Sequence, residues 1–309
     1  MAVRFVVESL EMALVSRVEA HIVSHFRQDR EPQLGLVLDA MMGWKNCLVR
    51  AVITSNTRQY ETSGFLARYA ELMTTRGHSL SLNVADNLTN PRMLTWEHKN
   101  FLPAWIAEAS PGEDFFLYIE DDIVLEDANL AYFMNHLRVL RQRNLIPGFL
   151  RFEKKAGAQV LVDVTSPEYW ERDRTVVIQN TAYHANKNPY WAGYILDRSL
   201  AEEYVRSRSF SPADSTFAPW NIQERSAMGL TFENPPASLK SRVVIPIVDG
   251  VVDPGSLVWH CSDSYSAANH PVVARLTLDQ AYVRESLTGY LARKAKSAAR
   301  SLGARISRA

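Results

Sequence analysis

The sequence predicts an α/β fold with a mostly parallel central sheet, and two observations carry this prediction. From residue 48 to residue 143, short apolar segments alternate with segments of helical periodicity in the order strand–helix–strand–helix–strand–helix. Such alternation is typical of a parallel sheet that helices cover on both faces. Each of the three predicted strands also ends in polar or acidic residues, and open parallel sheets bind their ligands at these carboxyl ends.

The elements of the first half follow from periodicity and from cap residues. Residues 8–29 are predicted to form a helix, because apolar residues recur at near-helical spacing from Leu10 to Ile22, and a loop is expected over 30–46. In the alternating part, Gly77 closes the first helix and Pro103 breaks the second. The predicted elements are, in order, strand 48–56, helix 61–76, strand 78–86, helix 91–109, strand 114–122 and helix 127–143.

The second half of the chain is less regular. The predicted strands are 148–155, 158–164, 175–183, 241–250 and 256–263, and the predicted helices are 199–207 and 218–233. We expect these segments to complete one α/β domain over residues 48–275. A helical N-terminal extension over 1–47 and a helical basic tail over 276–309 would flank that domain.

Charge excludes one class of partner for the body of the protein. The chain has 34 basic and 34 acidic residues, but residues 286–309 hold six basic residues and no acidic ones. The remainder therefore has 28 basic against 34 acidic residues, a net charge of −6. This charge argues against a nucleic-acid-binding domain.

Targeting and redox signals point to the cytoplasm. The chain has no run of 18 apolar residues, and its N-terminus carries acids where a signal peptide is apolar, so neither a transmembrane helix nor a signal peptide is predicted. Cys47 and Cys261 lie 214 residues apart and show no metal or redox spacing. We therefore expect a reducing, cytoplasmic environment.

The segment "FFLYIEDDIVLEDAN" places three adjacent carboxylates, Glu120, Asp121 and Asp122, at the end of an apolar strand. Adjacent carboxylates repel one another unless a positive charge offsets them. They could be solvated, but capping of the next helix does not explain them because Asp127 already stands at that start. Since side chains alternate along a strand, Glu120 and Asp122 are expected on one side and Asp121 on the other. Such a pair suits a divalent cation, Mg²⁺ or Mn²⁺, that takes carboxylate oxygens.

The motif "YIEDD", after two strand–helix units, resembles the DXD-type motif of nucleotide-sugar-dependent glycosyltransferases with the GT-A fold. The resemblance covers roughly residues 48–275 at the level of the fold and identifies no single family. It implies that Asp122 binds a Mn²⁺ or Mg²⁺ ion that bridges the donor diphosphate. Glu120 would assist the metal or contact the donor, and Asp121 would contact the donor.

The resemblance also implies a histidine metal ligand from a late strand. The segment "LVWHCSD" offers His260 for this role, with Asp263 and His270 as weaker substitutes. A hydrogen-bonded core position is the alternative for His260.

On the acceptor side, the resemblance points to "NPYWAGYILDRSL". Gly193 would let the backbone approach the donor sugar. Tyr190 and Trp191 would stack on the acceptor sugar, although Trp191 suits a core position equally well.

The segment "WNIQERSAMGL" is similar to the helix that carries the catalytic acid of inverting members. The resemblance makes Glu224 the general base. Gln223 departs from the middle acid of that motif, and an ion pair between Glu224 and Arg225 is the alternative.

On the donor side, Thr54 and Ser55 end the first predicted strand, where such enzymes contact the nucleotide, and Asp86 ends the second. An aspartate accepts a hydrogen bond from the imide N–H of uracil, which favours a UDP-sugar. Lys99, which follows His98 on the next helix, would either approach the donor or form the polar face of that helix.

The function implied is transfer of a sugar from a nucleotide-sugar to a glycan or lipid-linked acceptor in polysaccharide biosynthesis, with inversion if Glu224 is the base and with retention if Glu224 lies elsewhere. A phosphatase or a sugar hydrolase is an alternative. A sugar nucleotidyltransferase is one alternative, although "ITSNTRQYETSG" offers only Gly64 and Arg58 in place of a Gly-rich basic loop. A non-catalytic, glycan-binding domain of the same fold is another.

The C-terminal segment 290–308 is predicted to form a basic amphipathic helix, with apolar residues on one face and most of its arginines and lysines opposite. Such a helix would rest on an anionic membrane and hold the protein peripherally at the inner face. A disordered, solubilising tail is the alternative.

Overall fold

The computed structural model describes residues 16–215, 220–266 and 276–282. The strands are β1 Ser16–Ser24, β2 Cys47–Ser55, β3 Ser79–Val84, β4 Phe115–Glu120, β5 Ile123–Val124, β6 Ile146–Pro147, β7 Leu150–Lys155, β8 Ala158–Leu161, β9 Trp170–Ile178, β10 Thr181–Asn186, β11 Gly193–Asp197, β12 Val243–Val248, β13 Val251–Val252 and β14 Leu257–His260. The α-helices are α1 Glu31–Met42, α2 Gln59–Thr62, α3 Phe65–Thr74, α4 Leu102–Glu108, α5 Asp127–Leu140, α6 Arg198–Val205, α7 Ile222–Ser226 and α8 Leu278–Ala281. A 3₁₀ segment, Pro91–Phe101, precedes α4.

The main sheet has five strands in the order β11-β4-β1-β2-β3. Strands β1 to β4 are parallel to their neighbours, and β11 runs antiparallel along the edge of β4. The predicted α/β class and mostly parallel sheet are therefore confirmed. The predicted strands 48–56, 78–86 and 114–122 correspond to β2, β3 and β4, and α5 with its 3₁₀ end occupies the predicted helix 127–143.

The predicted helix over residues 8–29 is wrong for residues 16–24, which form β1 in the middle of this sheet. Ala20 and Ile22 are fully buried, and β1 pairs with β2 on one side and with β4 on the other. The apolar residues that suggested a helix are spaced by four, and an even spacing also fits the period of two of a strand. Residues 16–47 thus share a sheet with β2, so the expected boundary at residue 48 does not separate two bodies among the described residues.

The expected loop over 30–46 is also wrong, since α1 occupies Glu31–Met42. Its buried face contains Leu34, Val37, Leu38 and Met41, at the i, i+3, i+4, i+7 spacing of an amphipathic helix. The apolar signal was present in the sequence but had been assigned to a loop.

The second half differs from prediction in several further places, among them β11, for which no strand was predicted. The predicted strand 175–183 is the turn region of a hairpin of β9 and β10, whose turn residues Gln179 and Asn180 have φ of +47° and +65°. The predicted helix 218–233 shrinks among the described residues to α7, which Asn221 caps. The predicted tail helix lies outside the described residues.

Two smaller sheets flank the main one and determine where the site forms. Strands β13-β12-β10-β9 form one sheet, with β6 beside β12, and β5-β14-β7-β8 form the other. The short strand β5 begins directly after Asp122, and its Ile123 pairs with His260 at the end of β14. The acidic triplet therefore lies where the chain crosses from the main sheet into the β14 sheet. No helix in the part of the chain that the structure describes is long and apolar enough to span a bilayer.

Candidate active site

A pocket of ≈450 Å³ opens at the carboxyl ends of β1 and β4. Its acids are Glu120, Asp121 and Asp122 at the end of β4 and Glu224 at the start of α7. Its basic side chains are His25, Arg27 and Arg30 from the segment after β1, Arg151 from β7, and His260 from β14. The pocket is therefore lined by opposite charges, at the edge where parallel sheets bind ligands.

Asp122 has one oxygen engaged and one unengaged. Its Oδ2 lies 3.3 Å from Nε2 of His260 and 3.2 Å from Nη1 of Arg30. Its Oδ1 is buried and has no hydrogen-bond partner. Although burial opposes ionisation, the hydrogen bond and charge of His260 lower the pKa of Asp122. An ionised carboxylate with an unused, buried oxygen suits a bound cation.

His260 is oriented by a second acid. Its Nδ1 lies 2.6 Å from Oε1 of Glu153, a fully buried residue of β7. The same carboxylate accepts hydrogen bonds from the backbone N–H groups of Tyr265 and Ser266. Burial disfavours the charged imidazole, but its hydrogen bonds to Asp122 and Glu153 raise the pKa of His260 to about 9.

Asp121 lines the same pocket, shares Arg30 with Asp122 and has a further partner in Ser24. Its Oδ2 accepts a hydrogen bond from the Ser24 hydroxyl at 2.5 Å, and its Oδ1 pairs with Nη1 of Arg30 at 2.8 Å. Burial, with the charge of Asp122, raises the pKa of Asp121. These contacts tie the end of β4 to the end of β1.

Glu120 faces the opposite wall of the pocket. The hydroxyl of Tyr190 donates to its Oε1 at 2.8 Å. Burial, followed by the charge of Asp122, raises the pKa of Glu120 to about 7. The Tyr190 ring lies 4.7 Å from the Arg151 guanidinium, which Asp163 holds by two 2.7 Å hydrogen bonds. Arg151 is thus a fixed positive charge in the wall, with a raised pKa despite its burial because of Asp163.

Glu224 lines the same pocket from α7. Its Oε2 accepts a hydrogen bond from the Asn221 backbone N–H at 2.8 Å, and the Asn221 side chain caps the helix in return. This capping box uses one carboxylate oxygen and fixes the orientation of the side chain.

The described residues hold no group of three or more His, Cys, Asp or Glu side chains already arranged around a metal. The pair of Asp122 and His260 nevertheless fits a divalent ion that displaces the proton from Nε2 of His260, because a metal-bound histidine nitrogen carries no proton. A metal-bound histidine commonly donates its second ring N–H to a carboxylate, as His260 can to Glu153. Ions such as Mg²⁺ bind through one or two protein ligands and take further oxygens from phosphate and water.

Several predicted donor residues lie outside the lining of this pocket. Thr54 and Ser55 are buried at the end of β2, where Ser55 pairs in register with Ser24. The Ser55 hydroxyl is buried without a hydrogen-bond partner. Asp86 is exposed beyond β3.

Lys99 is placed in the interior. Its ammonium donates to the Ser209 carbonyl at 2.8 Å and lies 3.6 Å from the centre of the Trp96 ring. Burial lowers the pKa of Lys99 well below its usual value. The contacts of Lys99 are therefore with the protein and not with the pocket.

Of the predicted acceptor residues, the structure brings Tyr190 to the pocket and Trp191 to the core. The Trp191 ring packs 4.7 Å from that of Phe149. A Cβ on Gly193 would lie 2.7 Å from the Tyr118 carbonyl and 2.8 Å from the Trp191 ring. Gly193 therefore lets β11 approach β4. Asp263 accepts from the Lys154 backbone N–H and lies in a turn, and His270 lies outside the described residues.

Sequence reasoning missed the basic residues of the pocket. Arg27 and Arg30 follow β1, which had been assigned to a helix, so their position at a strand end was not recognised. In β7, the charged residues Arg151 and Glu153 alternate with the apolar residues Leu150 and Phe152. This pattern places both charged side chains on one face of the strand, and it was the signal that could have identified them.

No protein-family model and no curated protein matches the sequence. Among solved structures, the chain is similar to the mannosyltransferase PcManGT from Pyrobaculum calidifontis in complex with GDP-Man and Mn²⁺, with TM-score 0.42 and 11% identity over 80% of this chain and 57% of that chain. It is also similar to the apo-form glycosyltransferase GlyE of Streptococcus pneumoniae TIGR4 (TM-score 0.38, 8% identity, 74% and 45%) and to S. aureus TarS 1–349 (TM-score 0.38, 10% identity, 80% and 61%). The chain thus spans 45% to 61% of the lengths of these structures. With TM-scores below 0.5, these likenesses assign neither a family nor an activity to the chain.

Proposed function

We propose that the protein is a metal-dependent glycosyltransferase with a GT-A-type site. It moves a sugar from a nucleotide-sugar, with UDP-sugar favoured, to a glycan or lipid-linked acceptor. One observation carries the proposal. A single pocket at the carboxyl ends of parallel strands combines a buried, half-engaged Asp122 beside His260 with a separate carboxylate, Glu224.

Each part of the pocket has a task in this reaction. Asp122 and His260 would hold the Mn²⁺ or Mg²⁺ ion, which as a Lewis acid stabilises the negative charge that develops on the leaving diphosphate. Glu120 would assist the metal or contact the donor through the oxygen that Tyr190 does not bind. Asp121 would stay a structural link that supports the donor.

The acceptor hydroxyl must lose a proton as it attacks. Glu224 would accept that proton in an inverting displacement, since its capped helix holds the carboxylate at the pocket. Tyr190 would contact a sugar from the wall of the pocket.

The nucleoside would extend from the acids toward the ends of β2 and β3. Ser55, with its unpartnered hydroxyl, adjoins Ser24 in the sheet, and Asp86 follows β3. Asp86 would select uracil at its imide N–H. We further propose a cytoplasmic enzyme of polysaccharide biosynthesis, held at the inner membrane face by residues 286–309.

The first experiment measures thermal unfolding with UDP, GDP or CDP, each with and without Mn²⁺. We expect stabilisation by UDP that requires Mn²⁺, by about 2.7 kcal/mol at one hundred times the dissociation constant. Asp122→Asn should lose the part of the stabilisation by UDP that depends on Mn²⁺. Asp249→Asn, which removes an exposed carboxylate from a distant turn, should keep it.

Other outcomes identify the alternatives. Full Mn²⁺-dependent binding by Asp122→Asn contradicts the metal assignment. Binding of glycans with no response to any nucleotide favours a glycan-binding domain. Formation of a nucleotide-sugar from a nucleoside triphosphate and a sugar phosphate favours a nucleotidyltransferase.

Glu224→Gln tests the base. Glutamine serves a capping box as well as glutamate does, so the helix is retained while the proton acceptor is lost. We expect turnover to fall by about 10²–10⁴-fold with unchanged affinity for the donor. Unimpaired turnover would remove Glu224 as the base.

A further inference from the structure

Arg30 occupies the position of a cation among the carboxylates. One nitrogen, Nη1, lies 2.8 Å from Oδ1 of Asp121 and 3.2 Å from Oδ2 of Asp122. The Asp122 oxygen that Arg30 contacts is also the one that His260 contacts. Any divalent ion bound by Asp122 must therefore share this carboxylate with a guanidinium.

A divalent ion on the unengaged Oδ1 of Asp122 would repel Arg30, which contacts Oδ2 of the same carboxylate. Such ions bind carboxylate oxygens at about 2.0–2.6 Å. Since Nη1 of Arg30 is 3.2 Å from Asp122, the two positive centres would be near neighbours in a poorly screened site. This repulsion favours movement of Arg30 away from Asp122.

Arg30 is the member of the cluster that is free to leave. Its side chain is 34% exposed, whereas those of Asp121 and Asp122 are 6% and 8% exposed. After departure of Arg30, Asp121 keeps its hydrogen bond from the Ser24 hydroxyl, and Asp122 and His260 are left to hold the ion. Arg30 also ends the short 3₁₀ turn Gln28–Arg30 between β1 and α1, away from the sheet.

We propose that Arg30 is an internal counter-ion of Asp121 and Asp122, which a divalent ion displaces and which then binds the diphosphate of the donor. This inference rests on the function proposed above and adds a positioning residue to it. A guanidinium matches two phosphate oxygens with two parallel hydrogen bonds. Arg30 lines the pocket in which the phosphates would bind.

Displacement links the two ligands thermodynamically. In the absence of donor, binding of the ion breaks the contacts of Arg30 with Asp121 and Asp122 and leaves the positive charge of Arg30 without a partner. The diphosphate supplies that partner, so each ligand should raise the affinity of the other by the same factor. Arg30 would therefore weaken metal binding in the absence of donor and strengthen donor binding in the presence of metal.

Arg27 provides a matched control. It lines the same pocket and lies three residues earlier, but its guanidinium pairs with exposed Asp29 and not with the acidic triplet. Arg27→Gln and Arg30→Gln thus remove the same charge from the same pocket. Only Arg30→Gln removes the contact with Asp121 and Asp122.

The experiment measures Mn²⁺ binding by calorimetry without nucleotide, and then UDP binding at saturating Mn²⁺. We expect Arg30→Gln to bind Mn²⁺ about tenfold more tightly than wild type, and UDP with Mn²⁺ about tenfold more weakly. Arg27→Gln should remain within about threefold of wild type for Mn²⁺. Mn²⁺ should also raise the unfolding temperature of Arg30→Gln more than that of wild type.

The inference is overturned if Arg30→Gln binds Mn²⁺ no more tightly than Arg27→Gln does. The proposed function would still stand in that case if wild type binds UDP in an Mn²⁺-dependent manner. Absence of Mn²⁺ binding by all proteins, with and without UDP, overturns both. If Arg30→Gln does not fold, Arg30→Lys replaces it, because lysine keeps the charge but lacks the planar fork. UDP affinity of Arg30→Lys equal to wild type at saturating Mn²⁺ would then overturn the inference.

Discussion

Three consecutive carboxylates at the end of β4 behave differently because each has its own partners. Asp122 is paired with His260, so its pKa is lowered in spite of burial. Glu120 receives a neutral donor, the Tyr190 hydroxyl, and burial raises its pKa to about 7. The pocket therefore holds one acid that is ionised at all physiological pH values and one that titrates near neutrality.

Replacement of Glu120 by glutamine should stabilise the protein at alkaline pH. The usual pKa of a glutamate is 4.5 and that of Glu120 is about 7, so between these values the folded state binds the additional proton. Stability is therefore lost as pH rises through this window, by about 3 kcal/mol at pH 8. Glu120→Gln avoids this loss and still accepts from Tyr190.

Urea unfolding at pH 5 and pH 8 measures the effect. The stability difference between Glu120→Gln and wild type should favour the variant at pH 8 and shrink toward pH 5. Glu71→Gln, at an exposed position of α3, should show no such pH dependence. A variant that is relatively less stable at pH 8 than at pH 5 would contradict the assigned pKa.

At the scale of elements, the sequence predicted the strands whose residue pattern fits a strand alone. It missed β1, whose apolar spacing fits a helix as well as a strand. Strands β2 and β4 are apolar runs, β3 alternates between polar and apolar residues, and all three were predicted correctly. Strand β1 carries apolar residues at a spacing of four, which satisfies a helix and a strand alike. Only its pairing with β2 and β4, a long-range contact, decides between them.

The candidate site shows the same division. Strand ends predicted that the acids lie where a parallel sheet binds ligands, whereas the pairing of Asp122 with His260 was implied only by the resemblance; the two side chains lie 3.3 Å apart. The partners that tune them were not predictable, because Arg30 is 91 residues from Asp121 and Glu153 is 107 residues from His260 in the chain. Local sequence patterns do not predict contacts between residues so far apart in the chain.

Strand β11 depends on a glycine for its place beside β4. Alanine at Gly193 would put Cβ 2.7 Å from the Tyr118 carbonyl and 2.8 Å from the Trp191 ring, so backbone or ring must shift. We expect Gly193→Ala to lower the free energy of unfolding by about 1–3 kcal/mol. Gly43→Ala, at the right-handed helical end of α1 with its nearest contact at 3.2 Å, should cost about 0.5 kcal/mol or less. Equal costs for the two variants would contradict a packing role for Gly193.

At the scale of the whole molecule, the pocket joins two sheets. Asp122 lies just after β4 of the main sheet, and His260 is the last residue of β14 in the second sheet, β5-β14-β7-β8. Glu153 of β7 holds His260 and, through backbone N–H groups, the segment after β14. A ligand that binds Asp122 and His260 together should therefore stabilise both sheets, and Glu153 sets how well the second one presents its histidine.

Glu153→Gln tests this arrangement from a position that does not touch the proposed metal. Glutamine keeps the size of the side chain but offers one acceptor oxygen where three donors converge, so His260 loses its fixed orientation. We expect Mn²⁺ affinity to fall by about 10–100-fold.

The pKa of His260 in the metal-free protein, about 9 in wild type, should fall because one of the two hydrogen bonds that raise it is weakened. An NMR titration of the His260 ring protons separates this positioning role from a general loss of stability, which would leave the pKa of the folded state unchanged. Glu168→Gln, an exposed acid in the same half of the chain, should alter neither quantity. Unchanged Mn²⁺ affinity together with an unchanged His260 pKa in Glu153→Gln would show that the second sheet presents His260 without help from Glu153.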